Sequence, residues 1–78
     1  GVEPYLIEIA PGKRLSGHFF THKGEEFGYL LEGELEVVIK ETVHQVGPGD
    51  VVFLSRDTPS QWKNTQERPA RLLWLKIL

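Results

Sequence analysis

Apolar and polar residues alternate in short bursts, and turn residues separate the bursts. Tyr5, Ile7 and Ile9 interleave with Leu6 and Glu8, a period of two that predicts a strand. Leu35, Val37 and Ile39 interleave with Glu34, Glu36, Val38 and Lys40 and predict another. Val51–Leu54 is a short apolar run behind a Gly-Asp turn, and Arg71–Leu78 is nearly all apolar, as expected of a buried closing strand. Between these runs lie Pro11-Gly12, Gly24, Glu32-Gly33, Gly47-Pro48-Gly49-Asp50, Asp57-Thr58-Pro59 and Asn64–Pro69. Turn chemistry at such short intervals points to an all-β sandwich or barrel.

The stretch from Phe27 to Val38 also fits a helical face through Phe27, Leu30, Leu31, Leu35 and Val38. Gly28 and Gly33 argue against a helix, each costing about 1 kcal/mol relative to alanine. The sequence therefore predicts two strands, about 25–31 and 34–41, joined by a tight turn at Glu32-Gly33 with Gly33 at positive φ.

Length and composition narrow the classes. Seventy-eight residues make one small domain, expected to span 1–78, in which a core is possible but thin. Without cysteine there is no disulfide framework, thiolate metal site or cysteine nucleophile. A net charge of -2 lacks the basic footprint of a free-standing nucleic-acid binder, and Lys63, Arg68 and Arg71 are too dispersed to make a patch. No apolar run approaches the roughly 18–20 residues of a membrane span. There is no phosphate-cradling glycine loop and no nucleophile elbow. The expected location is cytoplasmic.

Three groups of residues point further: Gly24–Glu34, read as GEEFGYLLEGE, then Gly47-Pro48-Gly49-Asp50, then Asn64. Together they resemble a cupin, whose motifs are G-x5-H-x-H-x3/4-E-x6-G and G-x5-P-x-G-x2-H-x3-N. The resemblance covers about residues 4–78 and implies a small double-stranded β-helix, the cupin jelly-roll barrel. It is strongest to the cupin half of XRE-type regulators, in which a helix-turn-helix DNA-binding domain precedes the cupin. In the first motif the second histidine falls on His22, the glutamate on Glu26 and the closing glycine on Gly33. The first histidine position holds Phe20, and the opening glycine position holds Arg14. In the second motif the opening glycine falls on Gly49 and the asparagine on Asn64. Ser55, Asp57 and Ser60 stand at its proline, second glycine and histidine positions.

Of the four metal-ligand positions the resemblance implies, two keep a ligand, His22 and Glu26. A catalytic metal needs at least three protein ligands, so no metal and no cofactor are expected. His18 shares a parity with His22 but lies about 13 Å along a strand from it. The expected arrangement is a hydrogen-bonded His22–Glu26 pair in a polar cavity, which would favour protonated histidine. Trp62 shares a parity with Ser60, so Phe20, Ser60 and Trp62 are expected to face the barrel interior beside that pair. The candidate ligand-binding set is Phe20, His22, Glu26, Ser60 and Trp62, with no catalytic residue assigned; the alternative is that Phe20 and Trp62 simply fill the barrel. His44 is expected at the surface or an edge, and Asp50 as the cap of its turn.

The expected function is a ligand-sensing and dimerisation domain of a transcriptional regulator, with a small-molecule effector in the barrel. DNA would be contacted only through a domain outside these residues, and no membrane is expected as a partner. A small cupin enzyme of isomerase, decarboxylase or dioxygenase type is the alternative. If Glu26, Gly28 and Leu30 face inward, then Phe27, Tyr29 and Leu31 face outward, a patch that predicts a homodimer.

Overall fold

The structure, a computed structural model, describes residues 1–16, 25–54, 59 and 61–77. Among the described residues eight strands follow one another: β1 (Val2–Ile9), β2 (Arg14–Ser16), β3 (Glu25–Glu32), β4 (Leu35–Ile39), β5 (Thr42–Val46), β6 (Val51–Leu54), β7 (Gln61–Lys63) and β8 (Ala70–Ile77). There is no helix among the described residues. The strands form two antiparallel four-stranded sheets, one ordered β1-β8-β3-β6 and the other β2-β7-β4-β5. The all-β jelly-roll expectation is met.

The turn at Glu32-Gly33 is present, with Gly33 at φ 83°. Its role differs from that of a hairpin turn, because β3 pairs with β6 and β8 while β4 pairs with β5 and β7. The turn instead carries the chain from one sheet to the other. A Cβ at Gly33 would lie 2.7 Å from the Ala70 Cα and 2.8 Å from the Pro69 carbonyl oxygen, so glycine is needed for both conformation and space. The hairpin turn comes later than the sequence placed it. β4 stops at Ile39, and Lys40 and Glu41 form a two-residue loop with φ of 48° and 65° between Ile39 and its partner Thr42. Positive φ at both positions is the geometry that Asn-Gly usually supplies.

The interior lies between the sheets. Leu30, Leu72, Trp74, Ile9 and Leu54 come from the first sheet, and Leu35, Val37, Val46 and Trp62 from the second. The parity expected on β3 holds: Glu26, Gly28 and Leu30 are buried, Phe27 is half-buried, and Tyr29 and Leu31 are exposed. β8 departs from the expectation of a wholly buried strand. Ala70, Leu72 and Trp74 are buried, whereas Arg71, Leu73 and Leu75 between them are only half-buried.

Two substitutions probe these turns in opposite directions. Gly33→Ala should lower stability by about 2–4 kcal/mol, combining left-handed strain with overpacking against backbone. Glu41→Gly should raise it by up to about 1 kcal/mol by relieving left-handed strain. Denaturant midpoints of the two variants measure both signs.

Candidate functional site

β3 and β8 are neighbours, and their register sets Glu26 beside Lys76 and Gly28 beside Trp74. Cross-strand partners point to the same side of a sheet, so all four positions face the interior. Gly28 makes room for the indole of Trp74, because a Cβ there would overlap that ring. The indole in turn donates from Nε1 to Glu26 Oε1 at 3.1 Å. Lys76 Nζ lies 3.6 Å from the same oxygen, with the Glu26 side chain fully buried and that of Lys76 17% exposed. On β1, Tyr5 closes the group: its ring centroid is 5.4 Å from Lys76 Nζ, a cation–π distance. The Tyr5 hydroxyl donates to Glu3 Oε1 at 2.9 Å, and this bond is the main reason its pKa is raised above 10.0.

Trp62, from the opposite sheet, is fully buried and meets Trp74 edge-on, with ring centroids 5.4 Å apart and planes at 83°. Of the five predicted ligand-binding residues, the structure therefore connects Glu26 and Trp62 through Trp74. Phe20, His22 and Ser60 lie outside the described residues, and so does the proposed His22–Glu26 bond.

Lys76, Tyr5 and Trp74 were missed as members of this site. Parity held a signal for Lys76. It shares a side with Ala70, Leu72 and Trp74 on β8, so a lysine in an apolar strand was already directed inward. Asn64, aligned with the family motif, is buried and serves the architecture. Its Nδ2 donates to the carbonyls of Ile9 (3.0 Å) and Arg68 (2.7 Å), and its Oδ1 accepts from the Gln66 N–H (2.9 Å). Asp50 caps its turn as expected, its Oδ2 accepting from the Gly47 N–H at 2.8 Å. His44 is exposed on β5, an edge strand, as expected. With Val37, Ile39, Val52 and Phe53 it lines a second cleft, of about 350 Å³.

Among the described residues the family's metal-ligand positions are represented by Glu26 alone. No group of three or more His, Cys, Asp or Glu side chains converges among the described residues. The described ligand of the family set, Glu26, faces an ammonium group at 3.6 Å, which opposes a divalent cation at the same oxygen. The cluster sets a buried carboxylate, an indole N–H and an ammonium group against aromatic rings.

Comparison with known proteins agrees with the architecture. Protein SchB of Streptomyces halstedii is 30% identical over 66 residues, which is 85% of this chain and 47% of SchB, so the chain spans about half the length of that relative. The cupin domain of an XRE family transcriptional regulator from Enterobacter cloacae superposes with a TM-score of 0.75 at 24% identity, over 95% of this chain and 78% of that one. The polyketide cyclase RemF from Streptomyces resistomycificus gives a TM-score of 0.77 at 23% identity, over 95% of this chain and 52% of that one. Residues 5–76 match the Cupin_2 family, described as a cupin domain, and with its two antiparallel sheets the chain belongs to that family.

Proposed function

We propose that this chain is the ligand-sensing cupin domain of a cytoplasmic transcriptional regulator, and that a small polar metabolite binds in the barrel beside Glu26, Lys76 and Trp62. The observation that carries the reading is the Glu26–Lys76 pair. The barrel supplies a cation of its own from β8 beside the carboxylate, a pair suited to holding a polar group of a bound metabolite. The XRE regulator's cupin domain supports the same role by its fold. In the full-length protein DNA is contacted by a helix-turn-helix segment outside these residues. An in-frame helix-turn-helix coding segment upstream is the expected arrangement, and a stand-alone cupin reading frame overturns the assignment.

A second reading, a small metal-independent enzyme, draws on the same pair, since a buried carboxylate beside an ammonium and an indole N–H is hardware for proton transfer. The two readings separate on turnover. A sensor binds its metabolite and returns it unchanged, as mass spectrometry of the recovered ligand shows.

Metal exclusion by Lys76 has a direct test. Equilibrium dialysis of the natural chain against Mn²⁺ or Zn²⁺ should leave far less than one ion per chain. Phe20→His with Ser60→His restores the family's donor types. Near-equimolar metal is expected once Lys76→Met is added and the ammonium is gone. Tight metal in the natural chain would overturn the assignment.

The pair also makes a stability prediction. Lys76→Met removes the ammonium group beside a buried carboxylate and should cost about 3 kcal/mol, the low end for breaking a buried pair. Adding Glu26→Gln should recover most of that loss, a non-additivity that a double-mutant cycle of denaturant midpoints reads directly.

A further inference from the structure

β6 ends one sheet and β5 ends the other, and the Gly47-Pro48-Gly49-Asp50 turn joins them. Between these two edges lies the cleft of about 350 Å³. Register shows how it arises. Leu35 pairs with Val46 and Val37 with His44, so Val46 and His44 face the interior from β5. Val46 is buried in the core, whereas His44, directed the same way, is exposed. Across the seam Val52, paired with Gly28, faces inward from β6. Val52 and Ile39 pack against the core and are only partly buried. The interior is therefore packed as far as Val46 and Val37 and left open at His44, Ile39 and Val52.

The lining has a consistent chemistry. Val37, Ile39, Val46 and Val52 supply aliphatic walls from both sheets. Two of its polar side chains are engaged elsewhere: Asp50 Oδ2 accepts from the Gly47 N–H at 2.8 Å, and Gln45 donates to Glu36 Oε1 at 3.1 Å. His44 is the remaining polar side chain of the lining among the described residues. Its imidazole offers hydrogen-bonding nitrogens at the margin of an apolar slot. An apolar cavity with a few polar groups is the usual form of a small-molecule site, and this volume lies at the lower end of the range for such sites. None of the described lining residues belongs to the cluster of Glu26, Lys76, Trp62 and Trp74.

We infer that the cleft between β5 and β6 is a second binding site of this chain, for a small uncharged molecule made of one ring and one hydroxyl or similar hydrogen-bonding group. Size limits the body. A dry apolar cavity of roughly 150 Å³ holds benzene, so the larger cleft here takes a single ring with a short substituent. Chemistry limits the charge. Asp50 is the ionised side chain of the lining among the described residues, and it opposes an anion. A cation would exchange water for aliphatic walls, while the carboxylate that could receive it is already held by its turn. An uncharged ring gives up little hydration against Val37, Ile39 and Val52, and its hydroxyl meets the His44 imidazole. The inference is independent of what binds beside Glu26 and Lys76.

Benzyl alcohol is the probe, titrated into the natural chain and followed by NMR of the His44 imidazole and the valine methyl groups. The shifts should centre on His44, Val37 and Val52 and saturate at one molecule per chain. Val52→Phe, which fills the cleft, should weaken binding about tenfold or more. Val43→Glu, on the outward side of β5 at 56% exposure, should leave it unchanged. His44→Leu should weaken benzyl alcohol about three- to tenfold, the loss of one hydrogen bond, and leave toluene unweakened. Should Val52→Phe fail to fold, as the two indole N–H signals report, Ile39→Phe takes its place. Shifts that do not saturate overturn the inference, as do shifts centred on the indoles of Trp62 and Trp74. Equal weakening of benzyl alcohol and toluene by His44→Leu overturns the hydrogen bond, and tighter binding of benzoate or benzylamine overturns the uncharged class.

Discussion

The crossing of Trp62 and Trp74 is the constraint on which the rest of the interior depends. One indole comes from each sheet, and both are fully buried. Edge-to-face contact at 5.4 Å places the positive rim of one ring against the negative face of the other, worth about 0.5–1.5 kcal/mol beyond the area buried. Between two four-stranded sheets, two side chains of this size leave little freedom. The position across from Trp74 must be glycine, and Gly28 fills it. The indole N–H then points to one neighbour on β3, and Glu26 receives it. Core packing and site geometry are therefore one arrangement.

The motif residues divide between architecture and chemistry on the same logic. Gly33 turns the chain between sheets against the backbone of Pro69 and Ala70, where any side chain collides. Gly49, at φ 87°, donates its N–H to the Leu30 carbonyl and fastens the β5–β6 turn onto β3. Asn64 ties the end of β7 to the end of β1 and to its own loop, and its backbone exchanges hydrogen bonds with Gly12 and Lys13. A buried amide with this many partners is a brace, since each bond left unmade inside would cost about 1–3 kcal/mol. Glu26 differs from these three, because its buried carboxyl group meets the side chains of Trp74 and Lys76.

Alternation made most of this fold legible. The period of two marked β1, β4 and the inner face of β3 correctly, and turn residues located the breaks around them. It could not reveal partners. Both faces of β3 and β4 are read from parity, but whether they pair with one another depends on distant β6, β7 and β8. The Lys40-Glu41 turn escaped because neither residue carries the usual signature of positive φ; the register of β4 with β5 imposes it. On β8, counting apolar residues obscured the alternation beneath them. An apolar count places Arg71, Leu73 and Leu75 in the interior with Leu72 and Trp74, whereas parity sets them on the other side of the strand, half-buried. The candidate site was legible at Glu26 and Trp62, through the family motif and the parity of Ser60, whereas the cation beside Glu26 required knowledge of which strand lies next to β3.

The end of β8 shows how the two faces of the sheet are linked. Its inward residues there are Trp74 and Lys76, and its outward residues are Leu73, Leu75 and Ile77, so the charge lies inside and the hydrophobes outside. β3 repeats the inversion, with Glu26 inward and Phe27 and Tyr29 outward. For an isolated domain in water both choices oppose stability: the ion pair gives up hydration, and the leucines and phenylalanines keep apolar surface wet. Exchanging the contents of the two faces would correct both at once, and the period of two makes that exchange available by a shift of a single position. Two adjacent strands share the inversion, which argues against an isolated accident. Glu26 and Lys76 thereby form a polar island at one end of an interior that is otherwise apolar. Neighbouring residues on one pair of strands thus face two environments, so that whatever alters the Glu26–Lys76 contact acts on the strands that carry Phe27, Tyr29, Leu73 and Leu75 outside.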